Sequence, residues 1–113
     1  MAHIDSTWED EQRVQRGGRL AELRRSLGFT VLELADELNR VAAQLGVPER
    51  WSGAKVSKLA KGLQSPTVED VAVLAAYDPQ QRGMFWWAFG REEPKELRRA
   101  DRKLDGAKRK RTG

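Results

Sequence analysis

A chain of 113 residues supports one helical domain with a modest core and is too short for two. It carries no cysteine, which excludes disulfides and thiolate metal sites and fits a reducing cytoplasm. No stretch approaches the ~20 apolar residues of a membrane span, and the N-terminus lacks the apolar run of a secretion signal. The net charge of +4 is unevenly placed. Residues 91–113 hold ten Lys/Arg and five Asp/Glu, a local excess of +5, so residues 1–90 sum to −1. A basic end beside a near-neutral body suits either a phosphate-bearing partner or a solubilising tail.

Residues 1–5 read as a loose end, followed by Ser6-Thr7-Trp8-Glu9, whose Ser and Glu have the spacing of a helix-initiating capping box. Gly17-Gly18 would weaken a helix running through them by ~1 kcal/mol each relative to Ala. One helix with a soft point and two short helices both fit. Leu20, Leu23 and Leu27 then form a core stripe ending at Gly28, with Arg19, Arg24 and Arg25 outside it as a solvated face or as phosphate contacts.

Thr30-Val31-Leu32-Glu33 is a second capping box. Leu34, Ala35, Leu38, Val41, Ala42 and Leu45 recur at helical spacing behind it, and Gly46 and Pro48 mark the stop. After the turn, Ser52 is placed to cap a helix whose inner face is Val56, Leu59, Ala60 and Leu63. Ala54, Ser57, Lys58 and Lys61 occupy the opposite face, with Lys55 on its flank. No acidic residue occurs from Arg50 to Val68. A short helix with an acid-free, small-residued outer face suits contact with a polyanion. Trp51, immediately before the cap, is positioned to pack onto Val56 or to wedge against DNA.

Thr67 with Asp70 starts the next helix (Val68, Val71, Leu74, Ala75). Asp78 and Pro79 are expected to open another, Asp as cap and Pro at its first position. Its body, Met84 to Phe89, is apolar nearly all round, so either its aromatics fill the core or some of Phe85, Trp86, Trp87 and Phe89 form a dimer interface. Glu93-Pro94 then begins a polar helix to about residue 105 with a narrow stripe of Leu97, Ala100 and Leu104. Residues 107–113 (AKRKRTG) are expected to be disordered unless bound.

Two stretches, LAELRRSLGFTVLELADEL (20–38) and WSGAKVSKLAKGLQSPTVEDVAVLAAY (51–77), resemble the Xre, or lambda-repressor-like, helix-turn-helix family in its actinobacterial form. The resemblance rests on the Thr-capped helix, Ala35 at the tight crossing position, the V-S-K-L-x-K-G ending and the Ser-Pro-Thr that follows. It implies an all-α bundle of five to six helices with a basic C-terminal helix and tail. Residues 1–15 would be a partly helical extension and 16–90 the DNA-binding domain, with the helix-turn-helix at about 30–63. The chain departs from the family at Val31, where a phosphate-contacting Gln is usual, and at Ala60, where Glu is usual. Asn39 stands at the position of the turn Gly, and the turn is longer by about eleven residues. The first helix is therefore expected to gain about two turns, with residues 46–51 walking back along it. Six extended residues span ~20 Å, ample against the ~10 Å of added helix.

The function so implied is sequence-specific binding of double-stranded DNA through a major-groove helix at about 53–63, in a cytoplasmic transcriptional regulator, with a homodimer through the aromatic helix as one alternative for its pairing. Base-edge candidates are Gly53, Ala54, Lys55, Ser57 and Lys58; Lys donates to guanine O6 and N7, and Ala54 suits a thymine methyl. Phosphate candidates are Thr30, Arg50, Ser52 and Lys61. Two other classes stand beside it: a protein-binding adaptor or antitoxin-like protein using the aromatic helix 79–90, and low-specificity, nucleoid-type binding driven by the basic tail. Nothing points to an enzyme, a cofactor or a metal. The one histidine, His3, has no partner motif; Gly17-Gly18 lacks the pattern of a phosphate loop; no nucleophile has a base at a recognisable spacing.

Overall fold

The computed structural model describes residues 2–96, with side chains from Trp8 onward. Among these residues every regular element is an α-helix: α1 (Ala2–Leu27), α2 (Val31–Leu45), α3 (Gly53–Ala60), α4 (Val68–Tyr77) and α5 (Gly83–Phe89). The expected polar helix is represented by Lys95 and Glu96, and the rest of it lies outside the described residues, as does the tail. No described helix is long and apolar enough to cross a membrane.

The N-terminal alternatives resolve to one continuous helix. α1 runs without a break through residue 15, where the extension was expected to end, and Ala2–Asp5 belong to it rather than to a loose end. Gly17 is where α1 crosses the end of α3. A Cβ there would sit 2.2 Å from the Leu59 carbonyl oxygen and 2.8 Å from that of Ala60. Gly62 completes the same approach, turning the chain at φ 72° with its Cα side against the backbone of Val14. Gly17, which weakens local propensity on paper, thus permits the close approach of α1 to the end of α3, whereas Gly18 has open space around it.

α2 is central, packed against α3 on one side and α4 on another. Its capping box is formed as the sequence implies: the Thr30 hydroxyl accepts the Glu33 N–H, and Glu33 Oε1 accepts the Thr30 N–H. Leu34, Ala35, Leu38 and Ala42 are its buried face. They join Leu20 and Leu23 of α1, Trp51, Val56 and Leu59 around α3, Val71, Val73 and Leu74 of α4, and Trp87 of α5 in one core.

Leu63, Val68 and Leu45, expected in the core, are exposed, and Ala60 is only half-buried. Leu63 is 72% exposed because α3 stops at Ala60 and the left-handed Gly62 diverts the chain. Val68 is 77% exposed as the first residue after the Thr67 cap, and Leu45 is 46% exposed at the end of α2.

The segment after α4 also differs from expectation. Pro79 does not begin a helix; α5 starts at Gly83. Asp78 is buried and its carboxylate accepts the backbone N–H groups of Gln80 and Arg82, the Arg82 guanidinium and the indole N–H of Trp87. Pro79 and Gln80 form a turn and Gln81 takes a left-handed φ of 52°, which delays the helix to Gly83. Arg82 in turn lies 3.6 Å from the centre of the Trp86 ring.

Arg19 and Arg24, with Arg16 beside them, are partly buried and each donates to backbone carbonyls rather than standing as a plain solvated charge. Arg16 donates to the Ala88 carbonyl and Arg19 to those of Trp87 and Ala88, closing the C-terminal end of α5, where cations are favoured. Burial, with Arg16 nearby, lowers the pKa of Arg19 from its ordinary value. Arg24 donates to Phe29 O, whereas Arg25 reaches Ala21 O on the exposed side of α1.

Candidate nucleic-acid interface

α3 begins where the Ser52 hydroxyl accepts the Lys55 N–H. Its approach is set by the connecting segment. Val47 N–H bonds back to Ala42 O, and the chain returns along α2 until Trp51 lies beside Asn39. There the Asn39 carboxamide donates to Trp51 O and accepts Trp51 N–H, both at 2.9 Å. The expected walk back along an extended helix is therefore present, and Asn39 is the residue that receives it.

Val56 and Leu59 are the buried seam of α3. Ala54, Lys58 and Lys61 are exposed on the opposite face, with Ser57 half-buried between them. Arg50 and Ser52 are exposed ahead of the helix. Gly53 is half-buried and sits against Val31, whose Cγ2 would be 3.4 Å from an added Cβ. A side chain there would meet Val31 only at ordinary van der Waals distance. Thr30 is exposed with its hydroxyl oxygen engaged in the α2 cap. Hydrogen bonds from the Thr30 backbone and then its side chain hold the Glu33 carboxyl below its ordinary pKa.

Lys55 is placed differently from the other candidates. Its ammonium is 2.7 Å from Asp70 Oδ1, and the two side chains are 16% and 7% exposed. It also lies 4.4 Å from the centre of the Trp51 ring, a cation–π distance. Trp51 itself is 6% exposed, so it packs inside rather than projecting as a wedge. The acid-free run from Arg50 to Val68 thus receives one carboxylate from α4. Arg50, Lys58 and Lys61 remain without a side-chain partner among the described residues.

The aromatic helix divides in two. Trp87 is 2% exposed, its indole bound to Asp78, and is committed to the core. Phe85 and Trp86 are half-buried, while Phe89 and Met84 are 43% and 44% exposed. The rings of Phe85 and Phe89 lie 4.8 Å apart between centres, tilted by 50°. They border an open groove of about 360 Å³ between α5 and the start of α4, where Val68, Val71 and Pro66 form the other wall.

Sequence reasoning did not reach the Asn39–Trp51 bracket, the Lys55–Asp70 pair or the Asp78 hub. Asp70 was legible only as a cap, since its second oxygen accepts Thr67 N–H as the capping box requires. Comparison of the chain with protein-family models, curated proteins and solved structures finds no match.

Proposed function

We propose that this chain binds double-stranded DNA in the major groove, with α2 and α3 as a lambda-repressor-like helix-turn-helix and α3 as the reading helix. It would act as a cytoplasmic transcriptional regulator. The observation that carries the reading is the outer face of α3: Ala54, Ser57, Lys58 and Lys61 on a helix anchored from behind by Val56 and Leu59, with Arg50 ahead of it. Three unpaired cations around a small-residued surface are suited to approach a phosphate-lined groove closely. Lys58 is the long donor directed at base edges, Ala54 the apolar contact, and Arg50 and Lys61 the phosphate contacts. With so few donors, DNA shape and deformability supply much of the preference.

The exposed apolar face of Val68, Met84 and Phe89 favours a second copy of the chain as the protein partner. A two-fold pair would place two α3 helices on a palindromic site.

The test is selection from a random duplex pool at two salt concentrations, with wild type beside Lys58→Ala/Lys61→Ala. A motif that survives the higher salt and disappears in the variant is the expected result. Motif-free binding that fades with salt would indicate low-specificity binding through the basic C-terminal segment, and no binding would overturn the reading. Sedimentation of wild type beside Phe89→Glu reads the pairing.

A further inference from the structure

We infer that Lys55 is a positioning residue, tied to Asp70 and Trp51 to fix the roll of α3, and that it does not itself touch DNA. The inference rests on the reading of α3 as the DNA-binding helix. Position 55 lies in the first turn of that helix, where a long donor would be aimed at base edges or phosphates. Its side chain turns inward instead, with Nζ 2.7 Å from Asp70 Oδ1 and 4.4 Å from the Trp51 ring centre.

Each partner of Lys55 is itself held. Asp70 Oδ2 accepts Thr67 N–H, and Asp70 N–H donates to the Thr67 hydroxyl. Trp51 is bracketed at both backbone groups by Asn39. The backbone N–H of Lys55 goes to Ser52 Oγ. A continuous line of polar contacts therefore joins α2, the connecting segment, α3 and α4.

The short seam of α3 explains why such a tie is needed. Eight residues give a helix of ~12 Å, and its buried contacts are Val56 and Leu59. α3 packs against α1 at Gly17 and against α2 at Val31, which leaves its side towards α4 to be fixed. Lys55, one residue before Val56, is displaced by about 100° around the helix, so its tie to Asp70 fixes the roll of α3 relative to α4. Swinging Lys55 out to DNA would leave the Asp70 carboxylate buried beside Trp51 without its cation, an expensive arrangement. The charge of Lys55 is already compensated, so it contributes little to counterion release.

The experiment compares wild type, Lys55→Arg and Lys55→Met/Asp70→Asn in duplex-pool selection and in salt titrations on selected and scrambled duplexes. Removing both charges leaves no orphaned ion, and circular dichroism checks that the double variant is folded. The double variant should keep the wild-type salt slope while its preference for selected over scrambled duplex falls ~10-fold, about the size of one lost base-pair discrimination. Lys55→Arg, which can still pair with Asp70, should retain that preference and the same motif. A salt slope lower by about one charge, or a motif relaxed at a single base position, would assign Lys55 to DNA and overturn the inference. An unchanged preference in the double variant would overturn it as well. If wild type selects no motif, the DNA reading itself fails and the positioning role falls with it. Coupling between Lys55 and Asp70 in thermal unfolding would then show the pair to be purely structural.

Discussion

The Asn39 carboxamide closes a two-bond bracket on the backbone of Trp51, twelve residues further along the chain. The bracket converts an otherwise unsupported return segment into a fixed lead-in to α3. Trp51 is buried, so water cannot readily replace the lost partner. Asn39→Ala should therefore destabilise the fold by ~2 kcal/mol, the cost of leaving buried backbone groups unpaired. Chemical denaturation reads the loss, and hydrogen exchange should show Trp51 N–H exchanging faster than the amides of α1. Wild-type protection at Trp51 in the variant would show that the bracket does not hold the segment.

Gly17 and Gly18 are adjacent in one helix and should respond oppositely to the same substitution. Gly18 has open space around an added Cβ, so Gly18→Ala should stabilise by ~0.5–1 kcal/mol through helix propensity. Gly17→Ala would drive a methyl into the Leu59 and Ala60 carbonyls and force α1 from α3. It should destabilise by ~2 kcal/mol despite the same propensity gain. Midpoints of urea unfolding for the two single variants decide the matter; equal shifts would contradict the close crossing.

Acid should unfold the protein partly through Asp78. Burial pushes its carboxyl upward, but the hydrogen bonds from Arg82 and from the Gln80 and Arg82 amides outweigh burial and hold it below its ordinary pKa. The unfolded chain therefore binds the proton more readily, and stability rises with pH across this window. The contribution is complete above the ordinary unfolded value of about 4 and is lost as pH falls through the lower folded value. Glu33 acts with the same sign. Asp78→Asn should lower stability at neutral pH and flatten the acid limb of a stability–pH profile. An unaltered limb would remove Asp78 as a source of acid sensitivity.

Lys58 and Lys61 should separate in their effects on DNA binding. Lys61→Ala is expected to weaken binding to all duplexes alike and to lower the salt slope by about 1. Lys58→Ala should cost ~1–3 kcal/mol at one base position of the selected motif. Parallel salt titrations and selections for the two variants test this, and interchange of the two phenotypes would exchange the roles.

The amino-acid sequence by itself determined the local structure. Period-3.6 stripes and the Thr30/Glu33 and Thr67/Asp70 boxes define α2 and α4, because caps and core stripes act within a few residues. The exposed face of α3 was legible for the same reason, since Val56 and Leu59 leave Lys58 and Lys61 on the other side. Tertiary structure decided which of those residues are free. Lys55 sits on the flank of the basic face in sequence, yet an Asp fifteen residues away neutralises it. Trp87 looks like its aromatic neighbours until Asp78 takes its indole N–H. Gly17 reads as a helix weakness until the carbonyls of α3 arrive against it. Each of these depends on a partner from another element, and spacing along the chain carries no record of which distant group will fill a given side.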